Sequence, residues 1–135
     1  MLDRAQVDRW LDDYVAAWKS YDRAAIGALF AADVEYRYHP ADEPVRGRDD
    51  VVAAWRGEGD FPTATSRDEP GIYEAAYRAV AVDGDVAVAV GTSTYAEHPG
   101  GPAVETYDNC FVMRFDAEGR CRQFTEWYVK RGGGG

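Results

Sequence analysis

The sequence has little that could hold a metal, cross-link the chain or anchor it in a membrane. Its 135 residues include two cysteines and two histidines. Cys110 and Cys121 lack metal-ligand spacing, so we interpret them as reduced and structural. Apolar runs such as residues 86–90 are far too short to span a bilayer, and no charged and then apolar signal segment opens the chain. These features predict a cytoplasmic protein with no cofactor and no membrane partner.

Positive charge is also scarce. The sequence has 15 Lys and Arg against 24 Asp and Glu, which gives a formal net charge of −9. Proteins that bind nucleic acids concentrate basic residues on one surface, and this chain has no Lys/Arg cluster. The composition therefore argues against a nucleic acid partner and predicts an acidic surface exposed to solvent.

Aromatic residues, in contrast, are abundant, with four Trp, nine Tyr and five Phe. Tyr and Trp combine a large apolar surface with a polar atom, which suits the wall of a pocket or an interface. The length fits one domain that can bury a core without a metal or a disulfide. We predict a single domain over residues 1–131, followed by a flexible glycine tail over residues 132–135.

The first half of the chain is mainly helical in pattern. Apolar residues recur at helical spacing over residues 3–21 and form an aromatic stripe. Asp22 can cap a second helix, whose apolar face ends at Phe30. Alternation from Val34 to Tyr38 predicts a strand, and the proline-containing segment 39–44 predicts a loop. A third helix is predicted over residues 48–56, since acidic residues suit its first turn.

The second half is almost entirely strand in pattern. Two hairpins are predicted, because turn residues at 83–85 and 116–119 separate alternating segments. Further loops are predicted at 59–70, which we expect to be mobile, and at 98–102. The predicted strands cover residues 72–82, 86–96, 104–115 and 121–129. Three helices followed by four antiparallel strands predict an α+β fold, with the helices packed on a curved sheet.

Two parts of the chain resemble a known superfamily. Residues 13–18, Asp22 and residues 28–34 resemble the opening of nuclear transport factor 2-like domains. Residues 107–119 and 124–128 are similar to the last two strands of the SnoaL-like branch of that superfamily. The resemblance covers essentially the whole chain, with its elements in the same order.

The resemblance implies a conical α+β half-barrel with a pocket at its wide end and a homodimer formed through the outer face of the sheet. The superfamily includes ketosteroid isomerases, limonene epoxide hydrolases, scytalone dehydratases and polyketide cyclases, and also non-catalytic binding and assembly domains. Fold therefore does not settle function. The implied partner is a small hydrophobic or polycyclic organic ligand.

If the register of the superfamily holds, side-chain alternation along the strands predicts the pocket wall. The first helix, the early strand and the third helix would add aromatic residues to it. The predicted pocket residues are Tyr14, Trp18, Tyr36, Tyr38, Trp55, Thr92, Thr94, Asn109, Phe111, Met113, Phe124, Glu126 and Tyr128.

Glu126 is the strongest candidate for a catalytic residue. It lies in a strand between Phe124 and Tyr128, so an inward orientation would bury its carboxyl group among aromatic rings. Burial of this kind raises the pKa of a carboxyl group and suits a general acid or base. Limonene epoxide hydrolases carry an aspartate at the matching place. The alternative is a glutamate that pairs with an arginine or faces solvent.

Tyr14 and His39 are the other catalytic candidates. Tyr14 matches by spacing the tyrosine with which ketosteroid isomerases hydrogen-bond a developing enolate oxygen. The alternative is a core tyrosine bonded to a backbone carbonyl. His39 lies near the place of the isomerases' aspartate base and could move protons near neutral pH. Tyr38 could occupy that place instead, which would leave His39 in a loop at the rim.

Other positions depart from the patterns of these enzymes. The isomerases' second acid falls on Phe111, and the arginine and aspartate of the epoxide hydrolases fall near Thr92 and Thr94. Neither activity therefore carries over to this chain. Asn109 can replace part of the lost polarity, since one amide both donates and accepts hydrogen bonds. His98 has no partners at ligand spacing, so no metal site is predicted.

The first functional hypothesis is an enzyme that transfers protons without a cofactor. The reaction would be an isomerisation, cyclisation, dehydration or water addition. Glu126 would act as the acid or base, and Tyr14, Tyr38, His39 and Asn109 would position oxygen atoms.

The second hypothesis is a non-catalytic binding or dimerisation module. The aromatic residues would then form core and interface, and solvent-facing strand residues such as Tyr95, Trp127 and Val129 would matter more than Glu126. An open pocket with a desolvated Glu126 favours the enzyme. A filled cone with Glu126 in a salt bridge favours the module.

Overall fold

The computed structural model describes residues 1–59 and 71–131. Helices and strands alternate only in the first half of the described chain, and long strands fill the second half. The predicted α+β fold, with three helices and a mostly antiparallel, unclosed sheet, is confirmed. The elements are α1 (Arg4–Ser20), α2 (Arg23–Ala28), β1 (Phe30–Arg37), β2 (Val45–Arg46), α3 (Arg48–Arg56), β3 (Tyr73–Asp83), β4 (Val86–Ala96), β5 (Ala103–Phe115) and β6 (Cys121–Lys130).

Side-chain caps set the starts of the first two helices. The Asp3 carboxylate accepts a hydrogen bond from the Gln6 backbone N–H at 2.8 Å, and the Asp3 backbone N–H donates to the Gln6 side chain at 2.9 Å. Asp22 caps α2 as predicted, because its carboxylate accepts from the Ala25 N–H at 2.8 Å. These bonds satisfy backbone donors that have no partner within the helix. Tyr21, at the end of α1, has a φ of 51°, which bulky residues rarely adopt.

The six strands form one sheet in the order β2-β1-β6-β5-β4-β3. β1 runs parallel to β6, and every other neighbouring pair is antiparallel. The helices therefore belong to the first part of the chain, while the last four strands make consecutive antiparallel pairs. This arrangement leaves the inner face of the sheet opposite α1 and α3.

The hydrophobic core fills one end of the space between the helices and the sheet. Val7 and Leu11 from the first half of α1 are fully buried, as is Met113 in β5. The indole N–H of Trp10 donates to the Leu29 carbonyl at 2.9 Å and ties α1 to the chain entering β1. The second half of α1 and the first half of β5 contribute less to this core, and they lie where the cavity described below opens.

Two boundaries differ from the sequence predictions. Phe30 was predicted on the face of the second helix, but α2 ends at Ala28 and Phe30 begins β1, where it pairs with Cys121. Its side chain is buried in either assignment, so hydrophobicity alone does not distinguish them. The two-residue strand β2 was not predicted, because it lies between the predicted loop 39–44 and the predicted third helix. The predicted loop segment 60–70 and the glycine tail 132–135 lie outside the described residues.

The described part of the chain contains no helix that could span a membrane and no disulfide. None of its helices is both long enough and apolar enough to cross a membrane. Cys110 and Cys121 are free thiols, and the buried Cys121 thiol donates to the Gln123 carbonyl at 3.1 Å. Within residues 1–59 and 71–131, no group of three potential metal ligands comes together.

Candidate functional site

A cavity of about 630 Å³ lies between α1, α3 and the inner face of the sheet. Pockets for small organic molecules commonly have volumes of about 300–1,000 Å³. The lining comes from every strand except β2, and most of it is aromatic. The lining residues are Tyr14, Trp18, Tyr21, Tyr36, Tyr38, Trp55, Ile72, Tyr77, Ser93, Tyr95, Ala96, Glu97, Val104, Glu105, Tyr107, Asn109, Glu126 and Tyr128.

Strand register brings the polar residues of this cavity onto one face. Asn109 in β5 pairs with Gly91 in β4 and with Tyr128 in β6, while Phe111 pairs with Glu126. Since alternate residues of a strand share a face, Glu126 and Tyr128 point to the same side as Asn109. The polar part of the cavity wall is therefore built by three neighbouring strands, β4, β5 and β6.

A short chain of hydrogen bonds holds the Glu126 carboxyl group. The Ser93 hydroxyl donates to the Asn109 side-chain oxygen at 3.0 Å, and the Asn109 amide donates to Glu126 Oε2 at 2.7 Å. Ser93 and Asn109 are buried, whereas Glu126 is half-buried and borders the cavity. The carboxyl group is thus fixed on one side and reachable from the other.

Burial raises the pKa of Glu126 to about 7, while the hydrogen bond from Asn109 acts in the opposite direction. Burial is the larger effect because a charged carboxylate loses hydration that one amide cannot replace. No Lys, Arg or His occurs among the lining residues within the described chain. Glu126 is therefore positioned to exchange a proton near neutral pH.

Four tyrosines lie within the electrostatic reach of Glu126. Burial raises the pKa of Tyr14, Tyr36, Tyr38 and Tyr77, and the nearby Glu126 carboxyl group raises each of them further. Their hydroxyl groups consequently stay protonated at neutral pH and can act as hydrogen-bond donors.

Two of these hydroxyl groups hydrogen-bond to each other, and that of Tyr36 also meets a buried indole. The Tyr14 and Tyr36 hydroxyl oxygens are 3.1 Å apart. Trp55 acts on Tyr36 as a weak donor that lowers the pKa of its hydroxyl, yet Trp55 Nε1 makes no hydrogen bond of normal geometry within the described residues. A buried donor without a partner is rare in proteins. The two tyrosines line the cavity, so their hydroxyl groups can donate to an oxygen atom of a ligand.

The structure brings eight of the predicted site residues to the cavity and keeps the others away. Phe111, Met113 and Phe124 are almost fully buried in the core rather than in the cavity wall. Phe124 stacks on Tyr36 with ring centroids 4.5 Å apart, so it supports the wall from behind. The eight are Tyr14, Trp18, Tyr36, Tyr38, Trp55, Asn109, Glu126 and Tyr128.

The structure contradicts the predicted roles of His39, Thr92 and Thr94. His39 lies in the loop after β1 and contacts Tyr128, with ring centroids 6.1 Å apart, outside the cavity. Thr92 and Thr94 lie on the outer face of β4, because the intervening Ser93 faces inward and is buried. Tyr95 lies on the same face of β4 as Ser93, so it faces the cavity, although it was predicted to face solvent.

Tyr77 is a cavity residue that the sequence reasoning missed. It pairs with Gly91, where an added Cβ would lie 2.0 Å from the Ala76 carbonyl oxygen and 2.6 Å from the Tyr77 ring. Only glycine fits at this point, because the ring and backbone of β3 approach β4 so closely. A glycine in the middle of a long strand was the signal in the sequence for this close approach.

Solved structures show the class of fold to which this architecture belongs. A nuclear transport factor 2-like protein of unknown function from Burkholderia xenovorans superposes with a TM-score of 0.67 at 14% identity, covering 97% of this chain and 88% of that one. A protein from Kribbella flavida, provisionally assigned as a ketosteroid isomerase, gives a TM-score of 0.64 at 18% identity, covering 96% of this chain and 82% of that one. At these identities the similarity shows the fold alone, which is the nuclear transport factor 2-like cone.

Sequence comparison gives the family more specifically. The profile of the SnoaL-like domain matches residues 11–124, which is most of the chain. The protein therefore belongs to the SnoaL-like domain family, as the sequence resemblance implied. None of the curated proteins compared with it is similar enough to count as a match.

Proposed function

We propose that the protein binds a small organic molecule in its aromatic cavity and catalyses a cofactor-free proton transfer on it. The reaction class is isomerisation, cyclisation, dehydration or water addition. The observation that carries the proposal is a half-buried Glu126 with a pKa of about 7, held by Asn109 at the wall of an open cavity. A carboxyl group with this pKa can accept and return a proton near neutral pH.

The tyrosines supply the second part of the mechanism. Removing a proton next to a carbonyl leaves negative charge on the carbonyl oxygen, which needs donors to stabilise it. The hydroxyls of Tyr14 and Tyr36, which both line the cavity, are such donors. The reacting carbon would lie next to Glu126 and the oxygen next to these donors.

The proposed base can be tested without knowing the natural substrate. 5-Nitrobenzisoxazole loses its carbon-bound proton to a general base, the ring N–O bond breaks, and a coloured cyanophenolate forms. We expect catalysis that rises with pH through about 7, and a loss of about 10²- to 10⁴-fold in kcat/KM for Glu126→Gln. Asp12→Asn, an exposed change on α1, is the control. Equal rates for the wild type and Glu126→Gln would reject the acid–base role.

A second candidate function concerns the outer face of the sheet. Trp127 and Val129 alternate with the inward-facing residues of β6 and are exposed, at 43% and 68%. Exposed apolar groups on one sheet face favour an interface. We propose a homodimer through this face, and we expect Trp127→Glu to shift the sedimentation velocity of the protein to that of a monomer. Unchanged sedimentation of the variant would exclude Trp127 from the interface.

A further inference from the structure

The cavity wall has a distinctive charge pattern. Ten of its eighteen residues are aromatic, three are glutamates, and no described lining residue is basic. An anionic ligand would find no opposite charge in this part of the structure, whereas a cation would find both carboxylates and aromatic faces. The net charge of −9 would also attract cations toward the protein from solution.

The mouth of the cavity is walled by aromatic rings set at steep angles to one another. The ring centroids of Tyr95 and Tyr107 are 5.8 Å apart at an interplanar angle of 89°, and those of Tyr107 and Tyr128 are 5.9 Å apart at 79°. Perpendicular neighbours present ring faces on adjacent walls of one space. Such cages bind quaternary and protonated amines, because the negative face of each ring attracts the cation.

Two carboxylates lie beside these rings. Glu97 follows β4, and Glu105 in β5 accepts a hydrogen bond from the Tyr107 hydroxyl at 2.8 Å. Lys130 Nζ lies 3.5 Å from the same Glu105 oxygen, but Lys130 is outside the lining and its side chain is 58% exposed. Because an exposed ion pair of this kind is weak, Glu105 keeps much of its negative potential toward the cavity.

Trp55 forms part of the inner wall of the cavity. Its side chain borders the cavity at 7% exposure, and its Nε1 has no hydrogen-bond partner in the described chain. That nitrogen is itself buried and acts weakly on the Tyr36 hydroxyl, so it faces protein atoms rather than the open cavity. The part of the cavity that suits a positive charge is the mouth, with its aromatic rings and carboxylates.

We propose that the ligand of this cavity is an organic ammonium compound, whose cationic group lies at the mouth between the rings of Tyr95, Tyr107 and Tyr128 and the carboxylates of Glu97 and Glu105. This inference rests on the proposed small-molecule function and specifies the class of substrate. The remainder of the ligand extends toward Glu126, where the proton transfer takes place.

Three probes of similar shape but different charge show how much of the affinity depends on the charge of the ligand. The cation is 4-(hydroxymethyl)phenyltrimethylammonium, the neutral isostere is 4-tert-butylbenzyl alcohol, and the anion is 4-(hydroxymethyl)benzenesulfonate. Each carries one hydroxyl group for the inner donors. In calorimetric titrations we expect the cation to bind about fivefold or more tightly than the neutral probe, as cation–π contacts of ordinary strength require, and the anion to bind most weakly.

Matched variants show which residues cause the preference for the cation. Glu97→Gln and Glu105→Gln should each weaken binding of the cation by about three- to tenfold and leave the neutral probe unchanged. Glu118→Gln makes the same change in net charge at an exposed turn away from the cavity, so it should alter neither affinity. Tyr128→Phe should retain most of the affinity for the cation, and Tyr128→Leu should lose it. Thermal melting of each variant checks that it is folded.

The outcomes distinguish the proposal of a cationic ligand from the proposal that the cavity binds a small molecule. If the neutral probe binds as tightly as the cation, or if Glu118→Gln has the same effect as Glu97→Gln, the cationic ligand is wrong and the small-molecule site stands. If none of the three probes binds, both the cationic ligand and the proposed small-molecule site are rejected. Selective binding of the cation that depends on the two mouth glutamates supports the inference.

Discussion

Two glutamates of the same cavity differ in almost every physical respect. Burial raises the pKa of Glu126 to about 7, and its carboxyl group accepts a hydrogen bond from a neutral amide. Glu105 lies at the mouth, where the hydrogen bond from Tyr107 and the charge of Lys130 hold its pKa below the ordinary value. The inner carboxyl group can therefore change its charge near neutral pH, whereas the outer one stays ionised.

This difference shows that the residue type does not fix the chemistry of a carboxyl group. Environments that separate the pKa values of two similar groups also separate their roles. The inner environment is built from neutral donors and aromatic rings and favours proton exchange. The outer environment includes a cation and solvent and favours a permanent charge.

The largest expected effect that tests this contrast is on stability as a function of pH. The folded pKa of Glu126, about 7, exceeds its ordinary value of 4.5, so the folded state retains a proton that the unfolded state releases between these values. This contribution to stability is fully present below the ordinary value and is lost as pH rises through about 7. It amounts to at most about 3 kcal/mol, since one pKa unit corresponds to about 1.4 kcal/mol.

Chemical denaturation of the wild type and of Glu126→Gln measures this loss. Because the amide introduced by this substitution does not titrate, the stability of the variant relative to the wild type should increase by about 2–3 kcal/mol between about pH 5 and about pH 8. Glu105→Gln should show no increase over that interval, because the pKa of Glu105 lies below it. A constant difference for Glu126→Gln would mean that its carboxyl group is well solvated.

The next effect tests the packing that closes the inner part of the cavity. Gly91→Ala places a methyl group against the Ala76 carbonyl and the Tyr77 ring. Because backbone must move to accommodate it, we expect the variant to lose about 1–3 kcal/mol of unfolding free energy in urea titrations. Gly27→Ala, in a helix with nothing nearer than 3.9 Å, should instead gain up to about 1 kcal/mol. If Gly91→Ala is as stable as the wild type, the backbone of β3 can move away from the added methyl group at little cost.

A smaller effect tests the hydrogen bond on Glu126. Asn109→Ala removes the donor that lowers the pKa of Glu126 and leaves the Ser93 hydroxyl without its acceptor. We expect the pKa of Glu126 to rise above about 7 in carbon-detected NMR titrations of its carboxyl group, with a stability loss of about 1–2 kcal/mol. Ser93→Ala should raise the pKa less. A lower pKa in Asn109→Ala would indicate that water hydrates the carboxyl group.

The smallest effect concerns the mouth alone. Tyr107→Phe removes the hydrogen bond that is the main cause of the low pKa of Glu105. The pKa of Glu105 should therefore move up toward its ordinary value in the same NMR titration, while that of Glu126 stays near 7. If the pKa values of Glu105 and Glu126 both rise, the mouth and the inner part of the cavity are electrostatically coupled. The two carboxyl groups would then differ less than their surroundings indicate.

Which face of β4 points inward could not be predicted from the sequence. Its Val and Ala residues alternate, and hydrophobicity favours turning the larger valines inward. The structure instead buries Ala87 and Ala89 and leaves Val88 and Val90 partly exposed, because aromatic rings from other elements already fill the space inside. Thr92 and Thr94, predicted as pocket residues from the register of the superfamily, share the outer face with these valines, although the bounds of β4 were predicted correctly.

The site around Glu126 was easier to predict than β4. Phe124, Glu126 and Tyr128 alternate with residues that include Trp127, and the aromatic pattern on both sides of the glutamate indicated an unusual environment. Sequence could place the carboxyl group on a strand, but it could not identify Ser93 and Asn109 as its hydrogen-bonded neighbours. Those partners depend on the pairing of three strands and on the register between them.

The sequence by itself determined the order of the elements, the α+β class and the excess of aromatic and acidic residues, because periodicity and composition act locally along the chain. Only the tertiary structure decided which of those residues meet. Strand pairing set the inner face, Gly91 admitted Tyr77 to the cavity, and burial rather than residue type moved the pKa of Glu126 away from that of Glu105. These outcomes depend on distances between residues far apart in sequence, which local patterns do not encode.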